Sequence, residues 1–440
     1  MIGRKELFRV CERALARSTA RETEIVVLAD ESSLTRFANN TIHQNLLVNR
    51  VECIVRAVVG KSVGVGTVVA FDEDALSSAV EDACETARLQ PPDEDFPGLP
   101  GPEPFVELDA FDERTAQFTP EARGEAVRTI VQLARSEGAV ASGFFSTDWL
   151  EIAVVNSRGV RAWFPTTKAE LSTVITKETG SGYEQFRSVR ASAVDVEGLA
   201  RRALDKAIRS QNPEPIEPGE YVVVLEPQAT AGLLELLAFI GFGAKEYLEG
   251  ESFLTGKMGQ RILGENVTLR DDGLSVEGLP LPFDFEGVPR KPVTIIERGV
   301  AKGVVYDRRR AAKAGTSSTG HALPSGTEAG PLPLHLHMEP GESSLEAMIA
   351  STAKGLLVSR FHYMNVVEPK QAILTGMTRD GTFRIERGEV AGPVRDLRFT
   401  ESMLKALNRV AALSRDRRLC GEYVVAPAVK IEGFRFTGKK

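Results

Sequence analysis

The sequence predicts an α+β protein in two parts, with residues 1–211 forming the first and residues 219–440 the second. Three observations carry that prediction. Helical stripes and strand-length apolar runs follow one another in the first half without the strict β-α-β alternation of a doubly wound sheet. The run NPEPIEPGE (Asn212–Glu220), with three prolines and no bulky aromatic, marks a boundary and ends at a new strand, YVVVLEP. Beyond it the chain is mostly short strands separated by glycine turns, as expected of a mainly antiparallel sheet with a few helices.

The elements follow in order. Leu7, Val10, Cys11, Ala14 and Leu15 recur at helical spacing, which predicts an amphipathic opening helix. Strands are predicted at Glu24–Ala29, Arg36–Asn45 and Val51–Val59; Gly60-Lys61 then turns the chain into a returning strand, Val63–Phe71. Ala75, Leu76, Ala79, Val80, Ala83 and Ala87 share one stripe of a helix over 73–88. The stretch 91–104, PPDEDFPGLPGPEP, is too rich in proline for a helix or a central strand and reads as an extended strap. A helix over Pro120–Glu137 follows, with strands at Ala139–Ser146, Trp149–Ser157 and Val160–Thr166. Ala169–Glu178 and Arg187–Ala193 are further strand candidates around a turn at Gly180–Gly182, before a helix at Val196–Ser210. In the second half helical patterns occur at Gln228–Phe242, Ser344–Ala353 and Glu401–Leu413.

Composition narrows the function. The chain has 440 residues, 42% hydrophobic and 26% charged, with a formal charge of −7. Those values suit a globular protein and argue against the phosphate-neutralising surface that nucleic-acid binding needs. The N-terminus is charged throughout and reads as no signal peptide, and Ala229–Ala244 is too short to span a bilayer, so a cytoplasmic protein without a membrane is expected. Cys11, Cys53, Cys84 and Cys420 lie far apart with no C-x-x-C pair, and free buried thiols are expected.

Chemistry-bearing motifs are few. In HLHME, His335 and His337 stand at i and i+2 of a predicted strand, on one face. Together with Glu339 they could hold zinc, and the competing reading is an exposed strand of polar alternation without metal. His43 reads as a hydrogen-bonding surface or cleft residue, and His362 as structural. Asp271-Asp272-Gly273 reads as a turn, with calcium binding the alternative. No H-E-x-x-H or P-loop is present.

Several segments together resemble the TldD/PmbA metallopeptidase family. They are RFANNTIHQN (Arg36–Asn45), the hairpin Val55–Val68, Ala87–Pro100, SFLTGKMGQRI (Ser252–Ile262), Val267–Gly273, Gly287–Val300, Met338–Ile349 and the long run Lys354–Ser402. The resemblance implies an N-terminal α/β-sandwich-like domain, a barrel-like C-terminal sheet and a dimer. It also implies an unfolded peptide substrate held as an extended strand. The TldD-type subunit of this family carries H-E-x-x-x-H on a helix and a cysteine near the C-terminus as zinc ligands. Aligned on SFLTGKMG, those three positions fall here on Glu235, Leu236 and Ile240, so no catalytic residue is assigned to this chain. Cys420 lies in the region of the cysteine ligand, with a shorter spacing to Pro427, and its role is not carried over.

The departure resembles the TldE/PmbA-type subunits. The chain is therefore expected to bind no cofactor itself, to shape a substrate chamber, and to activate a TldD-type partner that holds the zinc. Arg36, Asn39, His43, Arg360, His362 and Tyr363, in segments that carry the resemblance, are the expected substrate contacts. Two alternatives stand beside this reading. One is a stand-alone peptidase with an atypical metal site drawn from His335, His337, Glu339 or Cys420; the other is a peptide-binding homodimer without catalysis.

Overall fold

A computed structural model of the chain describes residues 1–439 and holds two sheets. The first is made by β1 (Glu22–Ala38), β2 (Thr41–Val59), β3 (Ser62–Val68), β4 (Val140–Asn156), β5 (Arg161–Lys177) and β6 (Gly180–Ser188). Its order is β3-β2-β1-β4-β5-β6, antiparallel throughout. Five helices accompany it: α1 (Arg4–Leu15), α2 (Glu73–Leu89), the short α3 (Glu113–Ala116), α4 (Pro120–Ser136) and α5 (Val196–Arg209).

Side-chain alternation explains how they pack. The odd-numbered face of the sheet carries Ile25, Val27, Cys53, Val55, Ala153 and Val155, buried against α1 and α2. Further along, the same face carries Phe37, Ala141, Phe145, Leu171 and Ile175, buried against α4 and α5. The even-numbered face is covered only in part, where Val26, Ile54, Ile152, Val154 and Phe164 meet Ala110 and Phe283. With both faces covered, β1 carries the unbroken apolar run IVVLA (Ile25–Ala29) rather than an alternation.

The second sheet begins at β7 (Gly219–Leu225), followed by helix α6 (Pro227–Gly241). Its other strands are β8 (Leu269–Asp271), β9 (Val293–Glu297), β10 (Val300–Ala301), β11 (Leu336–Met338), β12 (Lys354–Glu368), β13 (Ile373–Glu386), β14 (Glu389–Pro393), β15 (Leu397–Ser402), β16 (Val410–Cys420) and β17 (Val424–Lys439). Strand β7 pairs with β12 in parallel and with β17 antiparallel, so β17, β15, β13, β12 and β7 return on themselves. Strands β11, β8, β9 and β10 extend from β17 outside that ring, which makes the sheet strongly bent and barrel-like without being a strictly closed barrel. Helix α6 packs on β12 and β17 in the main apolar core, with Leu233, Leu234, Leu237 and Ala238 fully buried.

Several expectations need correction. Arg36–Asn45 is not one strand: Asn39 and Asn40 take positive φ (51° and 61°) and form the two-residue turn between β1 and β2. The turn before β6 comes earlier than Gly180–Gly182, around Glu178 (φ 51°), and those glycines lie within the strand. A side chain at Gly180 or Gly182 would collide with the Ala207 or Ala203 carbonyl of α5, so glycine lets helix and strand approach. Consequently β6 ends at Ser188, and Ala191–Ala193 is a 3-10 turn. The predicted helix over 401–413 is helical only at Met403–Leu407 and otherwise belongs to strands. The paired strands predicted on either side of Asp148 and of Thr167 are each continuous, as β4 and β5.

Candidate functional site

The site begins on α6. Proline at its first turn and Glu226 at its N-cap start the helix, and its buried faces anchor it in the core. Glu235 and Leu236 are half-buried and Phe239 is exposed, forming the outer stripe of the helix. The Glu235 carboxylate accepts the backbone N–H of Glu422 at the turn between β16 and β17. Burial raises the pKa of Glu235, opposed by that backbone hydrogen bond. The turn is tied in its own right: Arg187 of β6 donates to the Gly421 carbonyl and to both Glu422 carboxylate oxygens (3.1 Å each), and also to Glu170 Oε1 (2.9 Å). A continuous polar link thus runs from α6 through the turn to the first sheet.

The residues at these positions do not fit a zinc ion. Leu236 packs on the core and Ile240 is buried in it, and neither has a donor atom. Cys420 is buried and free, and desolvation pushes its thiol up to about 12. The cysteines at 11, 53 and 84 are likewise buried and free.

The histidine pair is not on an exposed strand, nor does it gather with Glu339. β11 lies inside the sheet, between β8 and β17, and both His335 and His337 are buried. His335 donates its backbone N–H to Asp271 Oδ2 (2.7 Å), and burial with nearby Arg290 lowers its pKa to about 3. Glu339 is drawn to Arg270 (2.9 Å) and Arg417 (3.6 Å). No group of three or more His, Cys, Asp or Glu suited to a metal ion exists among the described residues. Asp271 is in β8 rather than in a turn: His321 Nε2 lies 2.8 Å from its Oδ1, and the turn starts at Asp272, whose Oδ1 accepts the Leu274 N–H. Thr319 Oγ1 lies 2.9 Å from His321 Nδ1, which gives a Thr–His–Asp chain. That hydroxyl also accepts the Tyr306 N–H (2.7 Å), so the chain is a structural brace.

The expected substrate contacts divide between two places. Arg36, Asn39 and His43 are exposed at the β1–β2 hairpin tip, where Arg36 reaches Gln44 (3.3 Å). Arg360, His362 and Tyr363 lie on β12. Arg360 bonds Asp380 (Nε–Oδ2 2.7 Å) and stacks 3.9 Å over the Tyr183 ring. Tyr363, at φ 49°, is 72% exposed with its ring 4.1 Å from that of His362. None of these six lines the cavity bordered by Asp30 and Arg50.

That cavity, about 520 Å³, lies between the even face of the first sheet and loops of the second half. Asp30, Arg50, Asp148, Leu150 and Lys168 form its sheet wall, and Leu279, Leu281, Phe285 and Leu334 face them. Glu422 and Tyr423 border it, so the turn that closes on Glu235 is also a wall of the cleft. The sequence reading missed these residues. The available signal was the polar interruption of the apolar β1 and β4 runs by Asp30 and Asp148, which share a face only once the register is known.

Comparison with known proteins places the chain in a family. Residues 112–211 match the PmbA/TldA metallopeptidase central domain and residues 218–438 the PmbA/TldA metallopeptidase C-terminal domain. A metalloprotease of Methanothermobacter thermautotrophicus is 29% identical over 52% of this chain and 51% of its own length. The metalloprotease PmbA homolog of Haemophilus influenzae is 22% identical over 82% of this chain and 80% of its own. The chain spans about half the length of the first of these curated relatives. Among solved structures, TldE from Thermococcus kodakarensis superposes with a TM-score of 0.89 at 25% identity, covering 99% of each chain. By sequence and by fold, the chain belongs to the PmbA/TldD metallopeptidase family.

Proposed function

We propose that this chain is a non-catalytic, TldE/PmbA-like subunit of a heteromeric zinc metallopeptidase that works on unfolded peptides. A TldD-type partner supplies the zinc, and this chain shapes the substrate chamber and activates that partner. The observation that carries the reading is the state of α6: Glu235 stands where the resemblance puts the first histidine, engaged by the Glu422 N–H, with Leu236 and Ile240 at the other two positions. Such a helix has no general base and no metal donors beyond one occupied carboxylate. Similarity to a protein named TldE supports the same assignment. No helix among the described residues is long and apolar enough to cross a membrane.

The test is co-expression with the TldD-type chain of the same source, followed by purification through a tag on this chain. A stable complex that hydrolyses an unfolded peptide faster than the partner alone supports the assignment. Failure to co-purify, together with no gain in hydrolysis, overturns it.

A further inference from the structure

The cleft between the first sheet and the second half has a divided chemistry. Asp148 and Lys168 satisfy each other (3.3 Å), and Ser32 donates its hydroxyl to the Asp148 carboxylate (2.6 Å). Asp30 and Arg50 are directly opposite each other across β1 and β2, and both border the cavity. Neither is joined to another side chain by a hydrogen bond or ion pair among the described residues. The two attract each other and Lys168 also acts on Asp30, yet neither Asp30 nor Arg50 spends a hydrogen bond on another side chain, so an acceptor and a donor stand side by side on the cavity wall.

A peptide group offers one N–H and one C=O, which is the complement of that pair. The surroundings favour an extended chain. β3 pairs with β2 only over Cys53–Val59, so among the described residues Thr41–Glu52, which includes Arg50, has a free strand edge on that side. Leu150, Leu279, Leu281, Phe285 and Leu334 make the deeper wall apolar, and the volume is within the range of ligand pockets.

We infer that this cleft binds an extended peptide segment carrying a bulky apolar side chain, with Asp30 and Arg50 holding its main chain and Leu150 and Leu281 receiving the side chain. The inference deepens the peptide reading above and rests on it for the ligand class, but needs neither the partner subunit nor a metal. It adds a selectivity: main-chain recognition tolerates many sequences, whereas the apolar wall discriminates against small polar side chains.

The experiment is calorimetric titration of the full chain, alone, with acetylated and amidated Gly/Ser peptides bearing one central Leu, Phe or Ser. Burying the apolar side chain should make the Leu and Phe peptides bind about tenfold or more tightly than the Ser peptide. Leu281→Asp, and independently Leu150→Asp, should bring all three to the level of the Ser peptide while the melting temperature confirms folding. Asp30→Ala and Arg50→Ala should weaken all peptides in the same proportion. Absence of saturable binding, equal affinity for Leu and Ser peptides, or a Leu preference that survives in a folded Leu281→Asp or Leu150→Asp variant would overturn the inference. These results do not depend on the partner. Co-purification failing while Leu-selective binding persists would sink the subunit assignment alone.

Discussion

Gly421 and Glu235 are so close that a Cβ built on Gly421 would stand 1.9 Å from Glu235 Oε1. Gly421 also has φ 59°, the left-handed region that disfavours other residues. Two separate demands thus meet at one glycine. Gly421→Ala should destabilise the chain by about 1–2 kcal/mol for the backbone alone, and by more through displacement of the Glu235 carboxylate. In a Glu235→Ala background the collision is gone and only the backbone cost remains. Urea denaturation of the two single variants and the double variant measures that coupling; strict additivity would contradict the contact.

Metal content should follow from the side chains rather than from the family. Leu236 and Ile240 offer no donor, and the Glu235 carboxylate is engaged by the Glu422 N–H. The chain purified alone without chelators is expected to hold zinc well below stoichiometric amounts by elemental analysis. A stoichiometric content would contradict this and direct attention to His335, His337, Glu339 and Cys420.

Much of this was legible in the sequence, and the exceptions have physical causes. Long periodic segments such as α2, α4 and α5 were readable because their apolar stripes face a single core. The Arg36–Asn45 turn was hidden because its Asn-Asn pair sits inside a run that otherwise alternates like a strand; asparagine tolerates positive φ without the conspicuous mark of glycine. The 401–413 segment misled because Met403, Ala406, Leu407 and Val410 have helical spacing, while edge pairing with β13 and β17 takes the flanks as strand. Loss of the zinc motif could be read directly. The cleft could not, since Asp30, Arg50, Asp148 and Leu281 come from four distant stretches that only the sheet register and the Phe283 contact bring together.

Acid should expose one buried network. Glu184, 4% exposed, is bonded by Lys206 (2.8 Å) and Arg418 (2.9 Å), and these cations hold its pKa down to about 2 against the opposing effect of burial. A depressed folded-state value means stability present above the unfolded pKa near 4.5 and lost as pH falls toward 2. Glu184→Gln is expected to cost about 3 kcal/mol at neutral pH, with the difference from the native protein shrinking between roughly pH 4.5 and 2. Denaturation measured across that window checks the slope; a constant difference would refute the assignment.

At the other inter-sheet junction the sign is reversed. Arg56 serves two buried carboxylates, Glu24 (2.7 Å) and Glu286 (2.9 Å), so acid exceeds base. Burial raises Glu24 to about 7 despite Arg56, with Glu286 adding to the rise. A raised carboxyl value favours the folded state at low pH, and that contribution fades as pH rises from about 4.5 through 7. Glu286→Gln leaves one acid against one base and should flatten the decline in stability between pH 5 and 8. An unchanged slope in the variant would show that Glu286 does not drive the decline.

Arg187 joins a buried acid and an exposed one, and the two should differ in worth. Its side chain is 5% exposed, as is that of Glu170 at 7%, whereas Glu422 is 74% exposed. Removing Glu422 takes away a solvent-screened partner, so Glu422→Ala should cost under about 1 kcal/mol. Arg187→Ala leaves the buried Glu170 with only Gln185 (2.8 Å) and the more distant Lys168 (4.0 Å) and frees the Gly421 carbonyl, so a cost of about 3 kcal/mol is expected. Arg187→Lys should not restore stability, because a single ammonium cannot span Glu170, Glu422 and the Gly421 carbonyl with the geometry of the guanidinium fork. Urea denaturation of the three variants ranks them. Equal costs for Glu422→Ala and Arg187→Ala would mean that the link from β6 to the turn is carried by other groups.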